Sequence, residues 1–325
     1  MPCKPCAVLL LAAHAAALQP PSWSALSKTL PSASREVPTI IDAVHHRQTK
    51  PKLSDETVVL YRERNGWCPY SERVWLALEA KGADYATVLI ENSGFGARPS
   101  WFSGQTPQIR WADGRMQGES MDLVRALDEH FSRMPLWPPD GLDGALVDTM
   151  VGDFKSCFPR GSRPSSRAAF LFGYGGEPLE RATFEASLDA TDDLLSSTRG
   201  PWFAGESFSA ADVAWAPFLE RLAAQLPCLH AGLNVRDASR WPALVAWFDA
   251  IERHVPAYAC RVAGDAQSWR RVLAMAGYGN AGLPPLLVEQ MPEGGSSAVE
   301  PSTWAEYAEG REHVGDTPAE EAAVR

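Results

Sequence analysis

The chain has 325 residues, enough for two domains of ordinary size. Hydrophobic residues account for 45% and charged residues for 22% of it, which is the balance of a globular protein. The net charge of −10 argues against a nucleic-acid partner, which favours a basic surface. Beyond the first 50 residues no run approaches the roughly 18 consecutive apolar residues of a spanning helix, so no membrane partner is expected.

Residues 1–50 have the features of a signal and transit leader. Lys4 precedes an apolar run at residues 7–13 and a small-residue cleavage site of three alanines, which is the pattern of a signal peptide. Residues 22–35 then hold five serines and two basic residues but no acid, as transit peptides do. The whole resembles the two-part leader of algae with secondary plastids, except that Leu18 replaces the aromatic residue usual after signal cleavage. We expect a plastid location, with the secretory pathway as the alternative.

The six cysteines are scattered, and a chain of this length does not need a disulfide framework. A reducing compartment is the simpler interpretation, and it leaves Cys68 free to act as a thiol. Cys3 and Cys6 lie within the leader and are discounted as a metal or redox site. No metal is expected.

Short strands alternate with helices between residues 55 and 134. Asp113-Gly114 between two short alternating runs is a strong hairpin signal, and Gly82 ends the first helical run. The predicted elements are, in chain order, a strand at 57–61, a helix at 69–81, a strand at 86–90, a hairpin at 108–117 and a helix at 120–130.

Cys68 stands where the first of these strands gives way to the first helix, and Pro69 fits the opening helical turn. A thiol there feels unpaired backbone N–H groups and the positive end of the helix dipole. Such sites lower a thiol pKa from about 8.5 into roughly the 3.5–7.5 range. We therefore expect Cys68 to be a thiolate at neutral pH.

Three motifs carry a resemblance to a known family. The run Trp-Cys-Pro-Tyr-Ser at residues 67–71 resembles the active-site helix of omega, lambda and dehydroascorbate-reductase-type glutathione transferases, above all a plant and algal group with Trp-Cys-Pro-Tyr-Cys. Thr106-Pro107 resembles the residue and cis-proline that face the cysteine in thioredoxin-like folds, and Glu119-Ser120 the pair that holds the γ-glutamyl end of glutathione. Each motif alone has an ordinary structural explanation, but their order and spacing favour a functional site.

The resemblance implies an α/β thioredoxin-like N-terminal domain at residues 55–134, followed by an all-α glutathione-transferase C-terminal domain. It implies Cys68 as the catalytic residue and glutathione as co-substrate. The main chain of Thr106 would pair with the cysteinyl part of glutathione, Glu119 would meet the ammonium, and Ser120 would receive a carboxylate. The implied glutathione-binding residues are Pro69, Tyr70, Ser71, Gln105, Thr106, Pro107, Glu119 and Ser120.

Two departures from the family pattern bear on activity. Ser71 replaces the second cysteine, so a mixed disulfide on Cys68 cannot collapse into an internal disulfide and a second glutathione must release it. Gln105 stands where several relatives carry lysine, so the affinity for glutathione is expected to be modest.

These departures favour an enzyme of monothiol deglutathionylation or dehydroascorbate reduction. Its partners would be glutathione and a small disulfide, dehydroascorbate or a glutathionylated protein, and the chain would be a monomer or homodimer. The alternatives are conjugation of glutathione, for which Tyr70 and Ser71 offer hydroxyls, and a non-catalytic module that binds ligands or docks a protein.

The second half of the chain follows a breaker-rich linker at residues 135–141. An all-helical domain is predicted at 142–280, with its first helices at about 142–158 and 178–197. Residues 283–325 are rich in proline, glycine, serine and acids, and they are expected to be a disordered tail.

Ser209 and Asp212 have the spacing of a helix capping box, with Phe208 stapling onto Val213. This resembles the capping motif in the second domain of glutathione transferases. We interpret both residues as structural and not as part of the chemistry.

Overall fold

The computed structural model describes residues 39–64, 66, 68–91, 98–137, 142–157, 171, 178–264 and 269. Most of the predicted leader and the whole predicted tail at 283–325 lie outside these residues. The described part is a thioredoxin-like α/β domain followed by helices, so the predicted fold class is confirmed.

A five-stranded mixed sheet is the centre of the first domain. Its strands are β1 (Ile40–Asp42), β2 (Val59–Glu63), β3 (Ala86–Ile90), β4 (Gln108–Arg110) and β5 (Met116–Gln117). The strand order is β1-β3-β2-β4-β5. β3 runs parallel to both β1 and β2, whereas β2 with β4 and β4 with β5 are antiparallel.

β1 corrects the predicted extent of the leader. The strand lies inside residues 1–50, and it pairs Ile40 with Thr87 at the edge of the sheet. Asp42 at its end binds Arg64 with a distance of 2.8 Å between Oδ2 and Nε. The folded domain therefore begins by Ile40 and not at residue 55.

The two faces of the sheet bury different clusters, because successive strand residues point to opposite sides. Leu60 packs under α1 (Pro69–Ala80) and α2 (Ser120–His130) in the main core. Its neighbours Val59 and Tyr61 face a smaller cluster on the other side, which includes Phe102. Both faces of β2 are thus covered, and all its residues are buried.

The second domain contains α3 (Leu142–Cys157), α4 (Arg181–Ser196), α5 (Ala210–Leu229), α6 (Pro242–His254) and a π-helix (Tyr258–Val262). Its interior is aromatic: Phe203 stacks on Trp215 with 4.4 Å between ring centroids and meets the edge of Trp247. These rings belong to the same core cluster as Leu60 of the sheet, so the two domains share one hydrophobic core.

A fully buried lysine fixes the chain between the domains. Lys81 Nζ donates to the carbonyls of Phe131, Arg133 and Met134 at 2.9–3.1 Å and forms an ion pair with Asp128 at 2.5 Å. Asp128 in turn accepts the backbone N–H groups of residues 136 and 137. The start of the predicted linker is therefore held in place by buried polar contacts.

No helix within the described ranges is both long enough and apolar enough to span a bilayer.

Candidate active site

Three chain segments meet at one end of the sheet. The pairing of Tyr61 with Gln108 places the chain after β2 beside the chain before β4. The pairing of Ile109 with Gln117 places the chain after β5 at the same end. The topology therefore brings all three predicted motifs to one edge.

Cys68 is the N-terminal capping residue of α1, with φ −77° and ψ 110°, and Pro69 opens the helix. The extended backbone at Cys68 and the fixed φ of proline suit this junction between loop and helix. The thiol is free, and the residue is only 5% exposed. The structure therefore places Cys68, the predicted catalytic residue, at a helix N-terminus.

The electrostatics of Cys68 differ from expectation. Burial raises the pKa of its thiol, and the nearby Glu63 carboxylate raises it further. Hydrogen bonds from the side chain and backbone of Ser71 and from the Tyr70 backbone act in the opposite direction, but they do not overcome burial. The expectation of a lowered pKa is therefore wrong, because desolvation of the charged form outweighs the helix terminus.

Ser71 acts on the electrostatics of the Cys68 sulfur. Its buried Oγ has no hydrogen-bond partner within the described residues, and it acts on the nearby Cys68 thiol by lowering its pKa. Because Ser71 lowers the pKa of Cys68, it is placed to stabilise the thiolate.

The Thr106–Pro107 peptide bond is cis, as predicted. Its loop is anchored by Gln108, whose Nε2 donates to the carbonyls of Ser103 at 2.8 Å and Gln105 at 3.0 Å. The Gln105 side chain is exposed. It remains available to a ligand at this end of the sheet.

Glu119 and Ser120 open α2. Glu119 has φ 62°, in the region that favours glycine, and Ser120 is the first helical residue. No side chain caps this helix start. The first backbone N–H groups of α2 are therefore open to an anionic group.

Arg73 forms the side of the site that faces the helical domain. Its Nε donates to the carbonyl of Ala214 at 2.9 Å. Its guanidinium lies 4.6 Å from the ring centroid of Phe154, 5.1 Å from that of Phe218 and 5.4 Å from that of Tyr70. Burial lowers the pKa of Arg73 to about 10, and the Tyr70 and Cys68 groups act against that shift.

Asp212 forms a buried capping network instead of facing the sheet edge. Its carboxylate accepts from the Ser209 N–H and hydroxyl, the Phe203 N–H and Trp247 Nε1, at 2.8–3.1 Å. Ser209 completes the capping box at the start of α5. This geometry supports the structural interpretation of both residues.

Two charged residues of the site, Glu63 and Arg73, are absent from the predicted set. Glu63 ends a strand that is buried on both faces, and Arg73 directly precedes the apolar run of α1. A charged residue beside such buried residues is the sequence signal that could have identified both. In the described part of the chain no group of three or more metal-ligating side chains occurs.

A thioredoxin-like domain with a cysteine at its first helix, joined to a helical domain, defines the class of protein. The glutathione S-transferase N-terminal domain family matches residues 67–130, and the C-terminal domain family matches residues 148–250. The two matches together cover about half of the chain. The chain belongs to the glutathione transferase superfamily, as a member of its cysteine type.

Similar proteins come from plants, fungi and insects. Glutathione S-transferase L2, chloroplastic, of Arabidopsis thaliana is 28% identical over 57% of this chain. The match covers 60% of that relative, so the chain spans less than two thirds of its length. Glutathione S-transferase L1 of the same plant is 29% identical over 63% of this chain and 82% of its own.

Two solved structures share the fold. Glutathione transferase Omega 2C from Trametes versicolor superimposes with a TM-score of 0.53 at 20% identity, over 68% of this chain and 99% of that one. A glutathione transferase homologue from Drosophila mojavensis, with bound glutathione, superimposes with a TM-score of 0.51 at 19% identity. The match covers 69% of this chain and 97% of that one.

Proposed function

We propose that this protein is a glutathione-dependent thiol transferase that works through a mixed disulfide on Cys68. The observation that carries the proposal is a free thiol at the N-terminus of α1, with the hydroxyl of Ser71 where a resolving thiol would stand. The substrates would be glutathionylated proteins, small disulfides or dehydroascorbate.

The reaction on a glutathionylated substrate has two exchanges. The Cys68 thiolate attacks the glutathione sulfur of the substrate disulfide, which forms the Cys68–glutathione disulfide and releases the substrate thiolate. A second glutathione thiolate attacks that disulfide, which yields oxidised glutathione and restores Cys68. With dehydroascorbate, two glutathione thiols supply the two electrons and two protons that reduce the dicarbonyl to ascorbate, and the two glutathiones leave as oxidised glutathione.

The residues around Cys68 fit glutathione in extended form. The open start of α2 at Ser120 would receive the γ-glutamyl carboxylate, and the exposed Glu119 would pair with the ammonium. The main chain of Thr106 would pair with the cysteinyl part, and Gln105 would donate to the glycyl carboxylate. Pro69, Tyr70 and Pro107 would shape the surface around the sulfur.

Thiol transfer is favoured over conjugation. Conjugation needs a hydroxyl that stabilises the glutathione thiolate, whereas the residue at the start of α1 is the free thiol of Cys68, and the hydroxyl of Ser71 is buried. A non-catalytic module would not need to retain the cysteine together with the open helix start at Ser120.

We propose a plastid location for the protein. The composition of residues 1–38 and the chloroplastic name of a relative at 28% identity support it. Secretion is the alternative.

The test is a comparison of Cys68→Ser with Cys157→Ser in the full chain. Cys157 is also a free thiol, but it lies in α3. We expect Cys68→Ser to lose at least about 99% of the turnover of a glutathionylated peptide, because its hydroxyl is not an effective nucleophile in disulfide exchange. Cys157→Ser should retain wild-type turnover.

Mass spectrometry after exposure to oxidised glutathione should find glutathione on Cys68 of the wild type. Assays with dehydroascorbate and a chloronitrobenzene electrophile separate thiol transfer from conjugation. Retention of peptide turnover by Cys68→Ser, or conjugation without thiol transfer, would show the proposal to be wrong.

A further inference from the structure

An ion pair ties the first strand to the turn that leads to Cys68. Arg64 Nε donates to Asp42 Oδ2 at 2.8 Å. Asp42 is the last residue of β1, and Arg64 is the first residue after β2. The Asp42 side chain is 23% exposed and the Arg64 side chain 10%, so salt screens this pair less than it screens a surface pair.

The pair reaches across the end of β3. Leu89 of β3 is the register partner of Asp42 on one side and of Arg62 on the other. Neighbouring strands lie about 4.7–4.9 Å apart, so β1 and β2 are separated by roughly 10 Å. The long side chain of Arg64 spans this gap, and the ion pair joins two strands that do not pair with each other.

β1 ends where the candidate site begins. Because β1 and β2 both run parallel to β3, the carboxyl ends of the three strands lie at one end of the sheet. Cys68 follows the carboxyl end of β2 and opens α1. Asp42 therefore lies at the same end of the sheet as Cys68, although it comes from the N-terminal segment.

The main chain of the turn after β2 is anchored as well. The Arg64 N–H donates to the Ile90 carbonyl at 3.0 Å, which continues the pairing of β2 with β3. The Gly66 N–H donates to the Glu63 carbonyl at 3.4 Å, and its φ of 71° suits glycine. Asp42 thus holds the side chain of the residue at which this turn departs from the sheet.

A second ion pair from the same N-terminal segment provides a comparison. Asp55 Oδ1 lies 3.2 Å from Arg110 Nη1, and the Asp55 side chain is 98% exposed. Arg110 pairs with Val59 at the start of β2, which is the opposite end of the sheet from Cys68. The two pairs attach one segment at two ends of the sheet, and the pair of Asp42 is the one beside the site.

We propose that Asp42 is a positioning residue, which acts through Arg64 to hold the turn before Cys68 where thiol transfer requires it. The inference rests on the proposed function, because the reaction that it serves is thiol transfer at Cys68. β1 would then contribute to the active site from the far side of β3, without belonging to the residues proposed to bind glutathione.

Release of the turn would change two reactions of Cys68 in opposite directions. Attack on a glutathionylated substrate needs the sulfur in line with the disulfide, and a misplacement of about 1 Å can cost about 100-fold. A small alkylating reagent has no such requirement. Because Cys68 is only 5% exposed, a loosened turn gives that reagent readier access. Thiol transfer should therefore slow while alkylation becomes faster.

The main test is the double variant Asp42→Asn with Arg64→Gln in the full chain, which removes the ion pair and leaves the total charge unchanged. Its kcat for a glutathionylated peptide should fall by at least about tenfold, within the range that misplacement produces. Its KM for glutathione should stay within about twofold of the wild type, because the lost interaction is not one of ground-state binding. Iodoacetamide labelling of Cys68 at pH 7 should be at least about fivefold faster.

Three variants control this comparison. Asp55→Asn removes the exposed pair at the other end of the sheet and should leave both rates within about twofold of the wild type. Arg64→Lys keeps a cation opposite Asp42 and should keep most of the wild-type kcat. Asp42→Asn alone keeps every atom of Arg64, and it gives the same readouts if the double variant does not fold.

Hydrogen exchange of the Arg64 and Gly66 amides tests the anchor without an assay of activity. Both N–H groups have carbonyl acceptors in the wild type, and their protection should fall by at least about tenfold in the double variant as this turn opens locally. Asp55→Asn should keep it. Unchanged protection in the double variant would overturn the anchor, and reduced protection with an unchanged kcat would overturn the positioning.

The two proposals can fail separately. A wild type that transfers no glutathione would overturn the proposed function. In that case faster alkylation and lower protection in the double variant would still support the anchor, whereas equal values in the two proteins would overturn it.

Discussion

At Cys68 a helix terminus and a buried environment act on the same thiol in opposite directions. The dipole and the hydrogen bonds from Ser71 favour the thiolate, whereas burial and Glu63 favour the neutral thiol. Burial is the larger effect, so the pKa of Cys68 is raised and the neutral thiol is favoured at pH 7. The thiolate, which is the nucleophile, is then a minor species whose population rises with pH.

The alkylation rate of Cys68 should therefore rise about tenfold per pH unit from pH 6 to pH 8, because the thiolate fraction does. Iodoacetamide labelling followed by mass spectrometry of the Cys68 peptide measures it. Glu63→Gln should increase the rate at pH 7, since it removes a charge that raises the pKa, and Glu56→Gln on an exposed turn should not. A rate that is flat above pH 6 would contradict this prediction.

Glu119 has a backbone conformation that side chains rarely adopt. Such residues cost about 1–3 kcal/mol and occur at sites where the surrounding structure fixes them. Its φ of 62° directs the chain from β5 into α2 and leaves the carboxylate exposed.

Glu119→Gly should raise the free energy of unfolding by about 1 kcal/mol, because glycine accepts positive φ at little cost. It should also raise the KM for glutathione, since it removes the carboxylate that would pair with the ammonium. Glu119→Gln retains the strain but loses the charge, so it should raise KM without raising Tm. Denaturation measures the free energy of unfolding, and steady-state kinetics measure the KM. An unchanged Tm in Glu119→Gly would show that the Glu119 backbone is not strained.

At the scale of elements, the start of α5 depends on one buried carboxylate that accepts four hydrogen bonds. Burial raises the pKa of Asp212 to about 6, although the four donors oppose that shift. The network ties the turn at Phe203 and the ring of Trp247 to the helix start. Its loss would disturb the aromatic interior of the second domain.

Asp212→Ala should lower the free energy of unfolding by more than about 3 kcal/mol, since each buried donor left unpaired costs about 1–3 kcal/mol. Asp212→Asn, which keeps one acceptor oxygen, should lose less. The difference in the free energy of unfolding between wild type and Asp212→Ala should narrow as the pH rises from 4 to 6. The reason is that the folded state binds the Asp212 proton more tightly than the unfolded chain does. Turnover per titrated Cys68 should be near normal, and lost turnover at an unchanged Tm would assign Asp212 to the chemistry.

Most regular elements could be predicted from the sequence because their patterns are local. The helix at Ser120 and the strand at 86–90 follow from periodicity alone. β1 could not be predicted, since three residues carry no period and Ile40 gains its partner from Thr87, far along the chain. The role of Lys81 is equally non-local, because it depends on carbonyls some fifty residues away.

The order of the motifs in the candidate site could be predicted from the sequence. The electrostatic environment of Cys68 could not. The cis bond at Pro107 and the helix start at Cys68 correspond to short sequence signals. The raised pKa of Cys68 does not, since burial is set by everything that packs around it. Arg73 contacts Ala214 and aromatic rings of the second domain, which no local pattern specifies.

At the scale of the whole molecule, a single core spans both domains. Leu60 of the sheet, Trp75 of α1 and Trp215 of α5 belong to one buried cluster. Arg73 adds a buried hydrogen bond from α1 to α5. The main hydrophobic core is therefore not closed within either domain.

The full chain should unfold in one cooperative transition, with calorimetric and van't Hoff enthalpies that agree. A fragment of residues 39–137 should lack stable tertiary structure, because the face of α1 that packs on α5 would be exposed to water. Calorimetry and near-ultraviolet circular dichroism measure these outcomes. Two separate transitions in the full chain, or a folded fragment, would show that the domains are independent.

The strand β1 limits where the chain can be shortened without harm. Thr39 already accepts the N–H of Thr87 at 2.7 Å, so a peptidase that removes a leader must cut before it. A cut at residue 50 would strip the edge of β3 and leave a row of unpaired backbone groups on a strand of apolar residues. Such an edge recruits strands from other molecules, so the over-trimmed protein would aggregate. Keeping residues 39–42 on the chain thus protects this protein from self-association through the edge of β3.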